Sequence, residues 1–434
     1  MNRQVLKLAV PSILANITIP LVGMVDVGIA GRLGDAALIG AIAISSMLFD
    51  LLYWNMGFLR IGTGGMVAQA FGANNFKEAM RVFNQGIITA LGFSLFFWII
   101  QWWYVDIALN LIDCSPDTKK YVKQYFFIRI WAAPATLSLL VFKGFFIGMQ
   151  NTVIPMITDI TVNVVKFGAS VYLSLYTSVG FDGIAIGTVI AQYTGLLLAV
   201  ALMIIFFKKY FKYITLKECF HLKQFRRFFL INKDLFVRSV CFLFIYAGFT
   251  SLSAHYGDME LAVCSILMKL MMVYSYFTDG FAYAGEALAG RYIGAGDDLS
   301  LRRAIRVIFH WTIWLGLVSA ALYWFGGEWM CRILTDNAAV LERASYYLVW
   351  LLVMPILSCF AFTWDGIYIG ATASKPIRDS MILSVIGFFA TYYALKGFFG
   401  INALWAGYMM HLVVRSAYLT IRYKRDININ RKIY

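Results

Sequence analysis

The feature that most constrains this chain is a succession of long apolar segments separated by short polar loops. A helix needs about 20 apolar residues to cross a bilayer. Twelve segments are long enough: 5–31, 36–64, 83–108, 121–149, 153–176, 181–207, 235–257, 259–290, 304–327, 343–371, 377–398 and 401–422. Charged residues make up only 14% of the sequence, whereas soluble proteins carry about 25%. These observations predict an all-α polytopic membrane protein with twelve transmembrane helices.

The distribution of positive charge predicts which loops face the cytoplasm. Lysine and arginine are concentrated before the first segment, after the second, sixth and eighth segments, and after the last one. Cytoplasmic loops carry such an excess, so both termini are predicted to be cytoplasmic, which an even number of spans requires. The net charge of +14 therefore reflects topology rather than nucleic-acid binding. We expect a multi-pass protein of the cell inner (plasma) membrane, embedded in the lipid bilayer.

A basic loop, residues 208–234, divides the chain into two similar halves. Short elements of the first half recur in the second at offsets of 221 to 223 residues: Gly34-Asp35 as Gly257-Asp258, Gly57-Phe58 as Gly280-Phe281, Gly72-Ala73 as Gly294-Ala295, Pro134 as Pro355, and Pro155 as Pro376. Five matches in one order indicate a duplication. We predict four parts, which are an N-terminal lobe (1–207), a cytoplasmic linker (208–234), a C-terminal lobe (235–422) and a basic tail (423–434).

The number of helices in each half indicates a transporter. With six spans, both halves enter the membrane in the same direction, so the repeat is parallel and its pseudo-two-fold axis lies along the membrane normal. Repeats of this kind are typical of transporters, in which substrate binds between lobes that rock against each other. A membrane enzyme would need a catalytic constellation on one face, and the four histidines are dispersed along the chain. We therefore predict a transporter rather than an enzyme.

Asp26 is the charge most in need of explanation, because it lies inside the first apolar segment. A charged Asp at a helix centre costs about 2.5–3.5 kcal/mol on insertion scales. Pro20 precedes it and permits a kink. A carboxylate on a bendable helix suits a proton- or cation-dependent switch. The alternative is an Asp that Lys166 or a hydroxyl group satisfies permanently. The second half has no acidic counterpart, so ion coupling is expected in the N-terminal lobe.

Other ionisable side chains lie inside the predicted helices, where such residues usually face a bundle interior or water. Lys143 and Asp365 are 222 residues apart, at nearly equivalent places in the two halves. This suggests pairing across the lobe interface, as a gate or as a structural tie. Arg60, Gln69 and Glu286 are further candidates for substrate or ion contacts. Mutual pairing, or a position near the membrane interface, is the alternative for the charged members of this set.

Cysteine and histidine usage predicts no metal site. The six Cys are scattered without a C-x-x-C motif, and most lie in apolar segments, where they serve as small buried hydrophobes. We expect no cofactor, with H⁺ or Na⁺ as the coupling ion.

Four stretches of the sequence carry a resemblance to a known family. They are LAVPSILANITIPLVGMVDVGIAGRLG (8–34), GTGGMVAQAFGANN (62–75), DGFAYAGEALAGRYIGAGD (279–297) and WDGIYIGATAS (364–374). These resemble the multidrug and toxic compound extrusion (MATE) family, in particular its DinF-like branch. The resemblance covers nearly the whole chain. It implies twelve helices in two lobes around a central cavity, and cation-coupled efflux by alternating access.

The resemblance also assigns roles to residues of helices 1 and 5. Asp26 matches the helix 1 carboxylate that the family implicates in proton coupling. Asn163 matches the Asn of an N-x-x-x-D motif found in helix 5 of several prokaryotic members, but Phe167 stands where its Asp is expected. Lys166 is the neighbouring residue. We hypothesise that Lys166 acts as a built-in cation that competes with protonation of Asp26.

Together these observations predict a secondary active efflux transporter that works as a monomeric, cation-coupled antiporter. Its expected small-molecule substrates are amphipathic solutes, in particular organic cations. The alternative is a flippase for lipid-linked or anionic amphipathic cargo. Many basic residues lining the central cavity would favour that alternative, and the candidates are Arg60, Lys143, Lys166 and Lys269.

Overall fold

Helices form all the regular secondary structure in the residues that this computed structural model describes, which are 1–33, 36–112, 114–213 and 222–427. Within those residues, the first half contains eight α-helices: α1 (Asn2–Arg32), α2 (Ala36–Trp54), α3 (Phe58–Gly72), α4 (Phe76–Leu111), α5 (Pro116–Arg129), α6 (Ala133–Gly148), α7 (Val153–Leu175) and α8 (Asp182–Phe207). Short 3₁₀ turns, Asn55–Gly57 and Ile130–Ala132, join α2 to α3 and α5 to α6, and a third, Lys208–Tyr213, follows α8. Six long helical runs result.

The described part of the second half also forms six long helical runs, with one additional short helix. Its members are α9 (Leu222–Ala254), α10 (Asp258–Ala295), α11 (Asp298–Leu334), α12 (Ala338–Ser345), α13 (Leu348–Gly370), α14 (Ser374–Phe399) and α15 (Asn402–Asp426). Among the described residues, ten runs are long and apolar enough to cross a membrane. The other two long helices are α1 and α15. The predicted all-α polytopic fold is confirmed.

Several helices extend beyond the apolar segments that predict them. The segment 83–108 becomes α4, which begins at Phe76, and the segment 235–257 becomes α9, which begins at Leu222. Hydropathy follows the hydrocarbon layer, whereas a helix continues for as long as its backbone hydrogen bonds do. Residues 343–371 were one predicted helix, but the structure divides the region between α12 and α13. Asn337 caps α12, because its Oδ1 accepts hydrogen bonds from the backbone N–H groups of Ala339 and Val340.

The chain forms two compact units. The N-terminal unit comprises Leu14–Ala70 and Asn75–Phe228. The C-terminal unit comprises Met1–Ile13, Phe71–Asn74 and Phe229–Tyr434. Helix α1 therefore contributes residues to both units.

Each unit contains, within itself, a crossing of two helices whose backbones touch, and the two crossings are equivalent. In the N-terminal unit, a Cβ atom on Gly144 of α6 would overlap the backbone carbonyl of Arg60 on α3. In the C-terminal unit, a Cβ atom on Gly366 of α13 would overlap the carbonyl of Ala282 on α10. One turn later both units repeat the contact: Gly148 against Gly64, and Gly370 against Glu286. Every residue of one crossing lies 222 positions before its counterpart, so the duplication seen in sequence is a duplication of packing.

The two units differ in the continuity of the helices at this crossing. In the N-terminal unit, 3₁₀ turns interrupt both helical runs, and the second break lies just before Pro134, which has no backbone N–H to donate. In the C-terminal unit α10 and α13 are unbroken, even though α13 contains Pro355. Helix α1 also continues through Pro20. The proline pattern alone therefore does not predict where a helix breaks.

Candidate functional site

Asp26 of α1 and Lys166 of α7 form a buried ion pair in the N-terminal unit. Lys166 Nζ lies 2.7 Å from Asp26 Oδ2, and the two side chains are 10% and 5% exposed. Asp26 Oδ1 is also buried, and it has no hydrogen-bond partner among the described residues. The pair is electrically neutral, but half of the carboxylate is left unsatisfied. Burial makes such an atom costly unless a proton or another donor reaches it.

Asn163 supports this pair from a neighbouring position rather than by touching Asp26. It lies three residues before Lys166 on α7, and its side-chain amide donates a hydrogen bond to Thr18 Oγ1, at 2.6 Å. Thr18 in turn donates to the carbonyl of Ala15 on its own helix. The three predicted members of the site therefore come together at one contact between α1 and α7. Two polar links, Asp26 to Lys166 and Thr18 to Asn163, fasten these helices to each other.

Arg129 adds a second cation that acts on Asp26 electrostatically. Its guanidinium donates to the Tyr125 hydroxyl, at 3.3 Å, and lies 4.4 Å from the ring centroid of Phe49. Asp26 and Asp50 both lie within its electrostatic reach. Arg129 was not among the predicted site residues, although an arginine inside the apolar segment 121–149 is itself a signal.

Lys143 forms another ion pair within the N-terminal unit. Its Nζ lies 2.6 Å from Asp159 Oδ2 on α7, and the side chains are more exposed than those of Asp26 and Lys166. Asp365, its predicted partner, binds two arginines in the C-terminal unit. Each residue therefore has an oppositely charged partner within its own unit.

Asp365 lies at the centre of a three-helix cluster in the C-terminal unit. Arg238 of α9 donates to Asp365 Oδ2 through Nη2 at 2.6 Å and through Nε at 3.2 Å. Arg415 of α15 donates to Oδ1 through Nε at 3.1 Å, and its Nη2 also contacts Oδ2. Both arginines lie inside predicted helices and were overlooked in the sequence. Listing every arginine within the apolar segments would have found them.

The remaining candidates occupy positions along α3 and α10. Arg60 and Glu286 are buried, and Gln69 is half-buried. Within the part of the chain that the structure describes, no group of three His, Cys, Asp or Glu side chains is placed to hold a metal ion.

Comparison with known proteins identifies the family. Residues 11–172 and 235–393 match the MatE family. The chain belongs to the MatE family. It is 30% identical over 423 residues to the DNA damage-inducible protein F of Escherichia coli (strain K12), covering 96% of this chain and 91% of that protein. It is 25% identical over 451 residues to a probable multidrug resistance protein NorM of Rhizobium meliloti (strain 1021), covering 98% and 93%.

Solved structures confirm the fold. An outward-facing multidrug resistance MATE transporter of the MOP superfamily superposes with a TM-score of 0.89 at 15% identity, covering 99% of this chain and 97% of that one. A MOP superfamily transporter from Pyrococcus furiosus, described as having a binding pocket of reverse polarity, gives 0.88 at 15% identity, covering 99% and 96%. The protein is therefore a MatE-family membrane protein whose relatives are multidrug and toxin efflux transporters. The resemblance seen in sequence to the MATE family and to DinF is confirmed.

Proposed function

We propose that this MatE protein is a secondary active exporter in which the Asp26–Lys166 pair couples solute efflux to proton entry. The observation that carries the proposal is the buried pair itself, with one oxygen of Asp26 open. A charged pair in a low-dielectric setting is stable only while both charges remain. A change in the protonation of Asp26 is therefore able to bias two arrangements of α1 against α7.

The coupling cycle follows from this electrostatic balance. Protonation of Asp26 from outside removes the partner of Lys166, and the attraction between α1 and α7 weakens. Loss of that proton to the cytoplasm restores the pair. If the solute binds only while Asp26 is ionised, solute and proton exclude each other at this carboxylate, and the cycle exchanges one for the other.

Protons suit this site better than sodium ions. Lys166 already places an ammonium group 2.7 Å from the carboxylate, and Arg129 adds a second positive charge nearby. A sodium ion would meet repulsion from both groups. Hard cations also prefer several oxygen ligands, and Asp26 offers one open carboxylate oxygen. A proton needs only that atom.

We propose amphipathic small molecules as substrates, with organic cations as the first class to test. The names of relatives, such as multidrug resistance protein and multidrug and toxin extrusion protein, support small-molecule cargo. An organic cation would compete with both the proton and Lys166 for Asp26. We further propose that the protein works as a monomer in the inner membrane, with both termini in the cytoplasm.

A flippase for lipid-linked or anionic cargo is the second candidate. Two of the four basic residues that would favour a flippase, Lys143 and Lys166, form ion pairs with carboxylates. They therefore give less support to binding of anionic cargo. The pair of arginines at Asp365 supplies a different observation in its favour.

Proteoliposomes containing a pH-sensitive dye test the proposed coupling. Tetraphenylphosphonium, a permanent amphipathic cation, should drive proton movement in wild type, and Asp26→Asn should abolish it. The matched control is Asp106→Asn, which removes an exposed ion pair with Lys123 in the same unit and should leave the flux unchanged. Full proton flux in Asp26→Asn would overturn the proposed role of this residue. Flux that requires sodium in wild type would overturn proton coupling.

A further inference from the structure

Arg415 is the most unusual buried charge in the C-terminal unit. It is fully buried, and its guanidinium packs 5.5 Å from the ring centroid of Phe362. Its Nη1 atom is buried and has no hydrogen-bond partner among the described residues. Guanidinium groups have five N–H donors in a fixed geometry, and a buried donor left unused is costly. Among the described residues, no acceptor reaches this donor.

Two guanidinium groups also share one carboxylate. Arg238 and Arg415 both donate to the side chain of Asp365. Asp234, one turn before Arg238 on α9, binds Arg378 and Ser374, each at 2.8 Å. Asp279 of α10 also acts on Arg415 electrostatically.

Accessibility differs between the two arginines. The Arg238 side chain is 20% exposed, whereas those of Arg415 and Asp365 are 1% and 5% exposed. Arg238 therefore forms the open side of the cluster, and Arg415 forms its floor. A ligand that binds Arg238 would reach the second guanidinium only by displacing the Asp365 side chain.

We propose that Arg238 and Arg415 form a binding site for one anionic group of an amphipathic cargo, with Asp365 holding the two guanidinium groups in place until that group arrives. The chemistry that fits is a carboxylate or a phosphodiester, because arginine binds such oxygens through paired N–H groups. The apolar helices around the cluster suit an apolar body attached to that group. This inference rests on the proposed export function for its claim that the ligand is cargo, and it adds an anionic group to the expected substrate chemistry.

A matched probe pair tests the site by equilibrium binding. N-dansyl-leucine carries a carboxylate, which its methyl ester replaces with a neutral ester group. For the full-length protein in phosphatidylcholine nanodiscs, the acid should bind about tenfold more tightly than the ester, which corresponds to one charge-assisted contact. Arg238→Gln should remove this preference. Equal binding of acid and ester to wild type would overturn the proposal, as would a preference that survives in Arg238→Gln.

Asp365→Asn separates a binding site from a merely structural ion pair. Removing the resident carboxylate leaves both arginines for the probe, so affinity for the acid should rise while affinity for the ester stays constant. If Asp365→Asn is stably folded and binds the acid no more tightly, the proposal fails. Arg343→Gln is the control, because it removes another arginine–carboxylate pair of the same unit, with Glu260 at 2.5 Å, and should leave the preference unchanged.

The same assay distinguishes the source of the anionic group. Phosphatidylglycerol added to the nanodiscs should displace the acid from wild type if the cargo is a lipid headgroup, and should leave it bound if the cargo is a soluble amphipath. Either result is compatible with the anionic site, because the acid preference that both results start from depends on Arg238. The binding assay uses no proton gradient, so failure of proton coupling and failure of this site give different results.

Discussion

At the scale of single residues, the energetic role of the Asp26–Lys166 pair leads to a prediction about stability. Removing one partner of a buried ion pair typically costs about 3–5 kcal/mol, because the other charge stays buried. Lys166→Met should therefore lower the free energy of unfolding. The loss should lie near the lower end of this range, since Arg129 still interacts with Asp26. The double variant Asp26→Asn/Lys166→Met removes both charges of the pair and should recover most of the loss.

Thermal unfolding in detergent measures this difference. The midpoint for Lys166→Met should fall clearly below both wild type and the double variant. Lys123→Met is the matched control, because its pair with Asp106 is half-exposed and should contribute about 0–1 kcal/mol. A double variant as unstable as Lys166→Met would show that the lysine stabilises the fold by packing rather than by charge.

At the residue scale, the sequence indicated the Asp26–Lys166 ion pair, but it failed where a partner had to be chosen among several neighbours. Asp26 and Lys166 could be paired because both interrupt apolar segments, and Lys166 was named as the partner that would hold Asp26. The partners of Lys143 and Asp365 could not be assigned, because long side chains reach several neighbouring helices. Their choice depends on helix rotation, which hydropathy does not determine.

At the scale of helices, the two caps that follow the equivalent helices α3 and α10 lead to a prediction about pH. Asn75 Oδ1 accepts a hydrogen bond from the Glu78 N–H at 3.0 Å, and Asp297 Oδ1 accepts one from the Ser300 N–H at 2.9 Å, 222 positions later. Asn75→Ala and Asp297→Ala should both lower the thermal midpoint. The expected loss for Asn75→Ala is about 1 kcal/mol.

The two cap variants should differ in their response to acid. Hydrogen bonding to Ser300 lowers the pKa of Asp297 below its ordinary value. A carboxyl whose pKa is lowered on folding stabilises the fold above its unfolded pKa, about 3.9, and loses that effect as pH falls through the lower folded value. The destabilisation by Asp297→Ala should therefore be constant from about pH 7 to 5 and shrink below about pH 4. The destabilisation by Asn75→Ala should not change with pH, because an amide cap does not titrate. A constant difference for Asp297→Ala in acid would contradict the charged cap.

Sequence could predict the helices but not their interruptions. The lengths of the apolar segments predict twelve spans, because a helix that crosses lipid needs about 20 apolar residues. The 3₁₀ turn Asn55–Gly57 and the separate helix α12 depend on local packing and capping. The glycines of the shared crossing were visible as small residues, but their contact with a carbonyl on another helix required coordinates.

At the scale of the whole molecule, the order of helices and loops predicts a pattern of labelling across the membrane. If both termini are cytoplasmic, as we propose, the loops after α3 and α10 should face the cytoplasm, and those after α7 and α9 the outside. In a background without the six native cysteines, Ala73→Cys and Ala295→Cys should react with a membrane-impermeant maleimide only after the cells are opened. Ser178→Cys and His255→Cys should react in intact cells.

All four positions are exposed in the structure, so a lack of reaction reports the side of the membrane and not burial. The parallel repeat requires Ala73→Cys and Ala295→Cys, 222 positions apart, to behave alike, and opposite labelling of these two would contradict both the topology and the parallel repeat.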